Sequence, residues 1–267
     1  MSARTIWKGS IQASILNIPI KLYGAINSSN GVHFNQLCPD CKGKIKQSIG
    51  CPTCNKTLSR DQVLHGYPIA KDQFVVMSEE EIDSAHKEKI EAIPILNFIE
   101  NGEVNPVYND EPYFIIPEKA GYDLFQLFRQ SLVETNKNAL GKIIMRSKEH
   151  LISISPFPDS NILIGYSLHF QEDLKTLQDI PDSDFPQKAI DPEMLKLGKQ
   201  LIVNLAGKWQ PEQYKDEYKE IIMKQIEAKA QGIIIPVEPK KEVQKIASMM
   251  EALKQAVSAT AQAQATA

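Results

Sequence analysis

The sequence contains no apolar run long enough to span a membrane, because polar residues interrupt every hydrophobic stretch before it reaches the about 18 residues that a membrane helix needs. The first apolar stretch follows Arg4 and Lys8 and is broken by Gln12, Ser14 and Asn17. It lacks the small-residue cleavage site of a secretory signal. These absences argue against membrane insertion and export, so we expect a soluble protein in the cytoplasm.

The sequence also lacks the short signatures of common enzyme classes. It contains no G-x-x-x-x-G-K-[ST], no G-x-G-x-x-G, no H-E-x-x-H and no G-x-S-x-G. Its five histidines lie in unrelated contexts, although the position of His33 near the first cysteine leaves a ligand role open. We therefore expect a binding protein and not an enzyme.

Cysteine is scarce, and all four cysteines lie in the segment CPDCKGKIKQSIGCPTC. They form two C-x2-C pairs, Cys38 with Cys41 and Cys51 with Cys54. In a reducing cytoplasm such pairs bind metal more often than they form disulfides. Four thiolates complete a tetrahedral shell around Zn2+ and leave no open position, which predicts a structural zinc loop at 38–54.

Two other interpretations of the cysteines stay open. An iron centre uses the same four-sulfur shell, and a redox dithiol uses one C-x2-C pair. A redox pair usually occurs once, in a turn from strand to helix, whereas the residues between these pairs, 44–47, read as a short hairpin. The pattern favours zinc.

Charge is distributed unevenly along the chain. Residues 1–60 contain eight basic residues and one acidic residue, a net charge of +7, while the remainder carries −10. A locally positive surface on an acidic protein can attract phosphates without binding every polyanion. A second interpretation is that part of this charge is the cation-rich surrounding usual for metal-bound thiolates.

Apolar periodicity predicts an α+β fold, with a β-barrel core, inserted helices and a C-terminal helical arm. Short β-branched stretches separated by turns favour a barrel over an open parallel sheet. Helices are predicted at 78–86 and 123–134, then from Asp191 to Gly207, from Pro211 to Gly232 and over 240–257. We predict a core at 1–180 containing the zinc loop, a linker at 181–190, a helical arm at 191–232, and an amphipathic helix with a low-complexity, disordered tail at 233–267.

The segment KIIMRSKEHL, residues 142–151, combines basic and apolar residues. If it forms one extended strand, side chains alternate between two faces. One face is then cationic and carries Lys142, Arg146, Lys148 and His150. Such a face could present phosphate ligands, although an ordinary solvated strand gives the same pattern.

Five segments resemble the prokaryotic Ku family, and they occur in the family's order over most of the chain. They are IWKGSIQASILNIPIKLY near the start, VHFNQL at 32–37, HGYPIAKDQFVVMSEEEI at 65–82, IIMRSKEHL at 143–151 and LIVNLAGKWQPEQYKDEYKEIIMKQIEAKAQG at 201–232. The cysteine pairs resemble those of the zinc-bearing subset of the family.

The resemblance implies a homodimer that forms a ring around double-stranded DNA ends without reading sequence, near the nucleoid, and that recruits the ATP-dependent DNA ligase D for non-homologous end joining. Contacts should then fall on phosphates. We predict that the following cations provide them: Lys8, Lys21, Lys44, Lys46, Arg129, Arg146 and Lys148. The C-terminal tail lacks the lysine-rich extension of some members, so we assign it to partner contact.

Three other functions remain open at this point. Acidic residues that cluster only in three dimensions could make a metal-dependent nuclease. The cysteine pairs could belong to a sequence-specific regulator or to an RNA-binding zinc-ribbon protein.

Overall fold

The structure is a computed structural model that describes residues 3–27, 31–71, 73–84, 91–145, 148–186, 188–232 and 249–265. The chain divides into two compact units. The first comprises Met1–Asn30 and Asn35–Ile180, and the second comprises Gly31–Phe34 and Pro181–Ala267.

The strands of the described residues all lie in the first unit. They are β1 (Trp7–Ala13), β2 (Leu16–Gly24), β3 (Ile49–Gly50), β4 (Thr57–Leu58), β5 (His65–Ala70), β6 (Gln73–Met77), β7 (Ala92–Glu100), β8 (Asn109–Pro117), β9 (Lys137–Met145), β10 (Lys148–Pro156) and β11 (Leu163–Leu168). Seven of them close into a barrel in the order β1-β2-β8-β11-β10-β9-β7. The parallel pairing of β1 with β7 completes the barrel, and the predicted α+β barrel fold is confirmed.

Every second side chain of the barrel strands points to the interior, so burial alternates along a strand. In β9, Ala139, Gly141, Ile143 and Met145 are buried while the residues between them are partly exposed. Branched aliphatic side chains that meet inside a barrel stabilise it by about 1.5–3 kcal/mol each through burial. The branched aliphatic residues that are 0% exposed are Ile11, Ile18, Ile20, Leu22, Ile93, Ile115, Ile152, Ile154 and Leu163.

Two features of β1 and β2 were not predicted from the sequence. The turn between these strands lies at Ser14, which has a φ of 56°. Gly9 lies inside β1. Glycine is required at this position because a Cβ would come within 2.2 Å of the Trp7 ring and 2.3 Å of the Glu91 carbonyl oxygen. The glycine therefore permits close packing, not a bend.

Five helices lie in the described residues: α1 (Glu79–Ser84), α2 (Tyr122–Thr135), α3 (Pro192–Leu205), α4 (Glu217–Ala230) and α5 (Met249–Ala265). Helix α2 packs against β9 and β10 and buries Phe125, Phe128 and Leu132, which recur at helical spacing. It ends at Asn136, whose left-handed backbone lets its N–H reach the carbonyl oxygens of Leu132 and Val133.

The second unit is helical. Asp191 begins α3, because its carboxylate accepts hydrogen bonds from the N–H groups of Glu193 and Met194. Helix α3 contacts α5, where the Asn204 amide donates to Thr260 Oγ1 at 3.3 Å. Among the helices described, none combines the length and apolar character of a transmembrane segment.

The structure corrects two helix predictions. Pro211 begins only a single 3-10 turn, Pro211–Gln213. The rings of Trp209 and Tyr214, on either side of this turn, stack with their centroids 5.0 Å apart. Helix α4 begins after Asp216. The C-terminal residues that we predicted to be disordered are helical up to Ala265, since alanine and glutamine favour helix. The predicted start of the last helix, at 240, lies outside the described residues.

Candidate nucleic-acid interface and metal-binding loop

The cysteine pairs lie in two knuckles of the same backbone geometry, 13 residues apart. We call residues 37–44 the first knuckle and residues 50–57 the second. The N–H of Cys38 donates to the Gly43 carbonyl oxygen at 2.9 Å, and the N–H of Cys51 donates to that of Lys56 at 2.9 Å. Each knuckle is closed by a β-pair, Leu37 with Lys44 and Gly50 with Thr57.

Backbone conformation repeats with the same offset. Lys42 and Asn55 each follow the second cysteine of a pair and have φ values of 57° and 53°. Residues other than glycine rarely adopt this left-handed backbone conformation without a structural reason. The reason here is that it turns the chain back so that the knuckle can close.

Each knuckle directs backbone N–H groups at its first sulfur. The N–H of Cys41, then the N–H of Asp40, donates to Cys38 and lowers the pKa of that thiol. The N–H of Cys54 has the same effect on the pKa of Cys51, followed by the side chain of Cys54. Hydrogen bonds of this kind stabilise thiolate, which is the form that ligates metal.

The two pairs do not form one cluster. The structure brings Cys38 next to Cys41 and Cys51 next to Cys54, but no group of three or more metal-ligating side chains occurs among the described residues. The local donor geometry of each knuckle thus fits a thiolate-bound metal, while convergence of the four sulfurs on one ion stays a prediction. The hairpin predicted at 44–47 is replaced by the two short pairings of the knuckles.

Residues 35–64, which we call the cysteine loop, have no core. None of these residues is buried, and only Cys38, Cys51 and Leu58 are partly buried. The loop carries five cations and two acids, a net charge of +3. Lys44, Lys46, Lys56 and Arg60 form no ion pair with any described residue.

The predicted cations of the barrel are in a different situation. Lys8 and Lys21 lie opposite each other on β1 and β2. The carboxylate of Glu118 lies between their amines, 3.1 Å from Lys8 Nζ and 3.6 Å from Lys21 Nζ. The hydrogen bond from Lys8 is the main cause of a lowered pKa at Glu118. Glu118 thus partly neutralises both predicted phosphate ligands.

The single cationic strand predicted over 142–151 is wrong. The segment is a hairpin in which β9 ends at Met145 and β10 begins at Lys148, and these two residues pair. Lys142 and Lys148 consequently lie on opposite faces of the sheet. The alternation argument failed because the basic residues belong to two paired strands.

The hairpin places its basic residues in separate surroundings. Lys142 pairs with Glu149 at 2.7 Å on the outer face. Lys148 and His150 line a pocket of about 280 Å³ beside Asp110 and Glu111. Arg146, which we predicted to contact phosphate, lies outside the described residues.

Arg129 is half-buried on α2, and its Nε is enclosed without a hydrogen-bond partner in the described part of the chain. The role of Arg129 as a phosphate ligand stays a prediction. The partial burial of its side chain argues against that role. Two residues that bear on the interface were missed from the sequence: Glu118, which gave no local signal, and Arg60, which was counted only as part of the basic segment.

Comparison with known proteins gives a consistent result. Residues 12–197 match the family described as Ku: Ku70/Ku80 beta-barrel domain. A protein of Desulfitobacterium hafniense named Non-homologous end joining protein Ku is 33% identical over 258 residues, which cover 97% of this chain and 88% of that protein.

Two further relatives carry the same name. The protein of Archaeoglobus fulgidus is 31% identical over 256 residues, which cover 96% of this chain and 99% of that protein. The protein of Bacillus subtilis is 30% identical over 238 residues, 89% of this chain and 75% of that protein. The similarity therefore extends through the barrel, the cysteine loop and the helical unit.

Proposed function

Because this chain belongs to the Ku family, we propose that it binds the ends of double-stranded DNA without sequence preference and acts in non-homologous end joining. It acts as a scaffold on DNA and not as an enzyme. One observation carries the proposal, namely that proteins named for this process match nearly the whole length of the chain.

Sequence-independent binding requires contacts with phosphate and sugar, since base edges differ along DNA. Lys44 and Lys46 support this role because they have no acidic partner among the described residues. Lys8 and Lys21 share one carboxylate between two amines and so keep a net positive charge. Lys148, Arg129 and Arg146 remain part of the proposal.

The chain acts as a homodimer that encloses the duplex. The helical unit supports this proposal because apolar side chains on α3 and α4 are exposed. Ile202 and Leu205 of α3 are 71% and 66% exposed, and Tyr218 of α4 is 72% exposed. Helices of this length are marginal in water unless they bury an apolar face, and a second copy offers a matching one.

One Zn2+ held by Cys38, Cys41, Cys51 and Cys54 is part of the proposal. The repeated knuckle geometry and the N–H groups directed at sulfur support it. The ion would supply structural stabilisation to a loop without a core, because four thiolates leave no position for substrate. This chain resembles the zinc-bearing subset of the family in that respect.

We also propose that the assembly recruits DNA ligase D, with the C-terminal helix α5 as the surface for partner contact, and that it acts on the nucleoid in the cytoplasm. The exposed surface of α5 beyond its contact with α3 supports a further partner. Co-purification of the ligase by the full chain, and its loss on deletion of α5, would test this part.

A comparison of linear and covalently closed DNA tests the main proposal. A ring loads only at an end, so we expect strong retention on linear duplex and little on the closed circle at physiological salt. If about four phosphates are neutralised in each subunit, the logarithm of the affinity should fall with a slope of about −7 against the logarithm of salt concentration. Equal binding to both forms would contradict the proposal, and cleavage of labelled DNA with Mg2+ or Mn2+ would indicate a nuclease instead.

A further inference from the structure

An open groove of about 860 Å³ lies on the cysteine loop, beside the second knuckle. One wall is formed by the residues that lead into β3, including Lys46 and Ser48. The other wall is formed by β4 and the turn after it, including Thr57 and Arg60. The pairing of Ile49 with Leu58 joins the two walls at the base.

Among the polar residues that line this groove, Ser59 bonds to Gln62 and to Asp61, whereas Lys46, Ser48, Thr57 and Arg60 present donors without such partners in the part of the chain described. Lys46 and Arg60 lie on opposite walls, and neither forms an ion pair within the described chain. The hydroxyl groups of Ser48 and Thr57 have no hydrogen-bond partner among the described residues either. Two cations and two hydroxyls on facing walls match the needs of a phosphodiester, which accepts hydrogen bonds and carries negative charge.

The groove contains no acidic side chain that would occupy its cations. Asp61 is the acid nearest in sequence, but it does not line the groove, and its carboxylate accepts a hydrogen bond from the Ser59 side chain, which lowers the pKa of Asp61. In the barrel, by contrast, Glu118 lies between Lys8 and Lys21. The groove is therefore a cationic site whose charges are available to a ligand.

We propose that this groove holds the sugar-phosphate backbone of one strand of duplex DNA, with Lys46 and Arg60 as the charged ligands and Ser48 and Thr57 as neutral donors. This inference rests on the proposed function and extends it, because it gives the cysteine loop a direct part in DNA binding. It also adds Arg60, Ser48 and Thr57 to the interface.

The groove depends on the second knuckle for its shape. The bond from Cys51 N–H to the Lys56 carbonyl oxygen closes the knuckle, and β3 and β4 pair next to that bond. Both walls therefore follow from a turn that the cysteines organise. A chain whose knuckle is opened should lose the same phosphate contacts as a chain whose groove cations are removed.

The test compares two double variants of the full chain that remove the same charge from the same loop. Lys46→Gln with Arg60→Gln removes the groove cations. The control, Lys42→Gln with Lys56→Gln, removes two loop cations that do not line the groove. Affinity for a short blunt duplex is measured across a range of salt concentrations, together with metal content and thermal midpoint.

We expect the groove variant to bind at least about tenfold more weakly at physiological salt, with a salt slope less steep by about 2 per subunit, because each lost phosphate contact contributes about 0.9. The control should change the slope much less. Lys46→Arg with Arg60→Lys keeps the charges and should restore most of the affinity.

Equal losses of DNA affinity in both double variants would show that the loop acts only through its overall positive charge, and this would overturn the proposal. An unchanged salt slope in the groove variant would also overturn it. An acidic peptide that competes with the duplex in the unaltered chain but not in the groove variant, without any change in DNA slope, would assign the groove to a protein partner and overturn the proposal. If the unaltered chain fails to prefer linear over closed circular DNA, the proposed function itself fails.

Discussion

The barrel and the cysteine loop belong to one compact unit, but different forces stabilise them. The barrel encloses Ile20, Ile93, Ile152 and other side chains that are 0% exposed. The cysteine loop buries none of its residues. Burial of apolar surface is the main favourable term in folding, so a segment without burial needs a ligand to order it. We therefore expect the structure of the loop, unlike that of the barrel, to depend on the proposed metal.

The same contrast holds for charge. In the part of the chain that the structure describes, the lysines that form salt bridges are Lys8, Lys21, Lys137 and Lys142, which all lie on strands of the barrel and face a glutamate. The loop cations do not. Exposed salt bridges contribute little to stability, but they determine which cations remain available to a polyanion. The loop cations are therefore more available to a phosphate than Lys8 and Lys21 of the barrel.

Removal of metal should produce the largest difference in stability between the cysteine loop and the barrel. We expect chelation, or Cys51→Ser, to make residues 35–64 sensitive to protease and fast in hydrogen exchange while the barrel core stays protected, since zinc binding contributes about 10–16 kcal/mol to folding in small zinc peptides. Metal analysis should give one zinc per chain. Ser48→Ala, in the same loop, should keep both metal and protection, and a metal-free loop that stays protected would contradict the comparison.

A cavity in the barrel should produce the converse effect. Ile152→Ala removes a side chain that is 0% exposed, and we expect it to lower the free energy of unfolding by about 2–5 kcal/mol. Ile69→Ala, on β5, is the matched control, because Ile69 is 62% exposed. Denaturant unfolding measures both. Below the unfolding transition, metal content should be the same in the two variants. Equal destabilisation by both substitutions would show that burial in the core is not what stabilises the barrel.

Neutralising Glu118 should make the barrel resemble the loop. We expect Glu118→Gln to raise affinity for blunt duplex several-fold at physiological salt and to steepen the salt slope by about 1 per subunit, because a phosphate no longer competes with the carboxylate for Lys8 and Lys21. Glu134→Gln is the control, since Glu134 accepts a hydrogen bond from Gln130 and has no cationic partner among the described residues. Identical gains in both variants would indicate a change in net charge alone.

The smallest effect concerns pH. Lys8 lowers the pKa of Glu118, so the ionised carboxylate stabilises the folded state above the ordinary glutamate pKa. That contribution should disappear as pH falls through the lowered pKa, where the folded state takes up the proton. Thermal midpoints of the unaltered chain and Glu118→Gln should differ slightly at neutral pH and converge in acid. A difference that grows in acid would show that the sign of the coupling is wrong.

Much of the fold followed from local patterns. Stretches rich in β-branched residues and separated by turns predicted the strands of the barrel, and helical spacing in 123–134 predicted α2 to within one residue at each end. The prediction failed at KIIMRSKEHL because Met145 and Lys148 pair between β9 and β10 and so share a face, whereas one continuous strand would place them on opposite faces. It also failed at the C-terminus, where low complexity was taken as disorder although alanine-rich sequence forms helix.

Less of the candidate site than of the fold could be predicted from the sequence. The basic segment and the cysteine spacing predicted where cations and thiols occur. They could not show that Lys46 and Arg60 line one groove, because their positions depend on the pairing of β3 with β4. They also could not separate the paired lysines of the barrel from the unpaired lysines of the loop.

The sequence by itself determined the features that depend on neighbouring residues. The spacing of two cysteines with two residues between them predicted where each knuckle lies, because its closing bond and its left-handed residue involve positions close in sequence. Only the tertiary structure decided which charges remain available. Glu118 meets Lys8 and Lys21 because strands far apart in sequence lie side by side in the barrel, and electrostatic energy depends on distance in space, not along the chain.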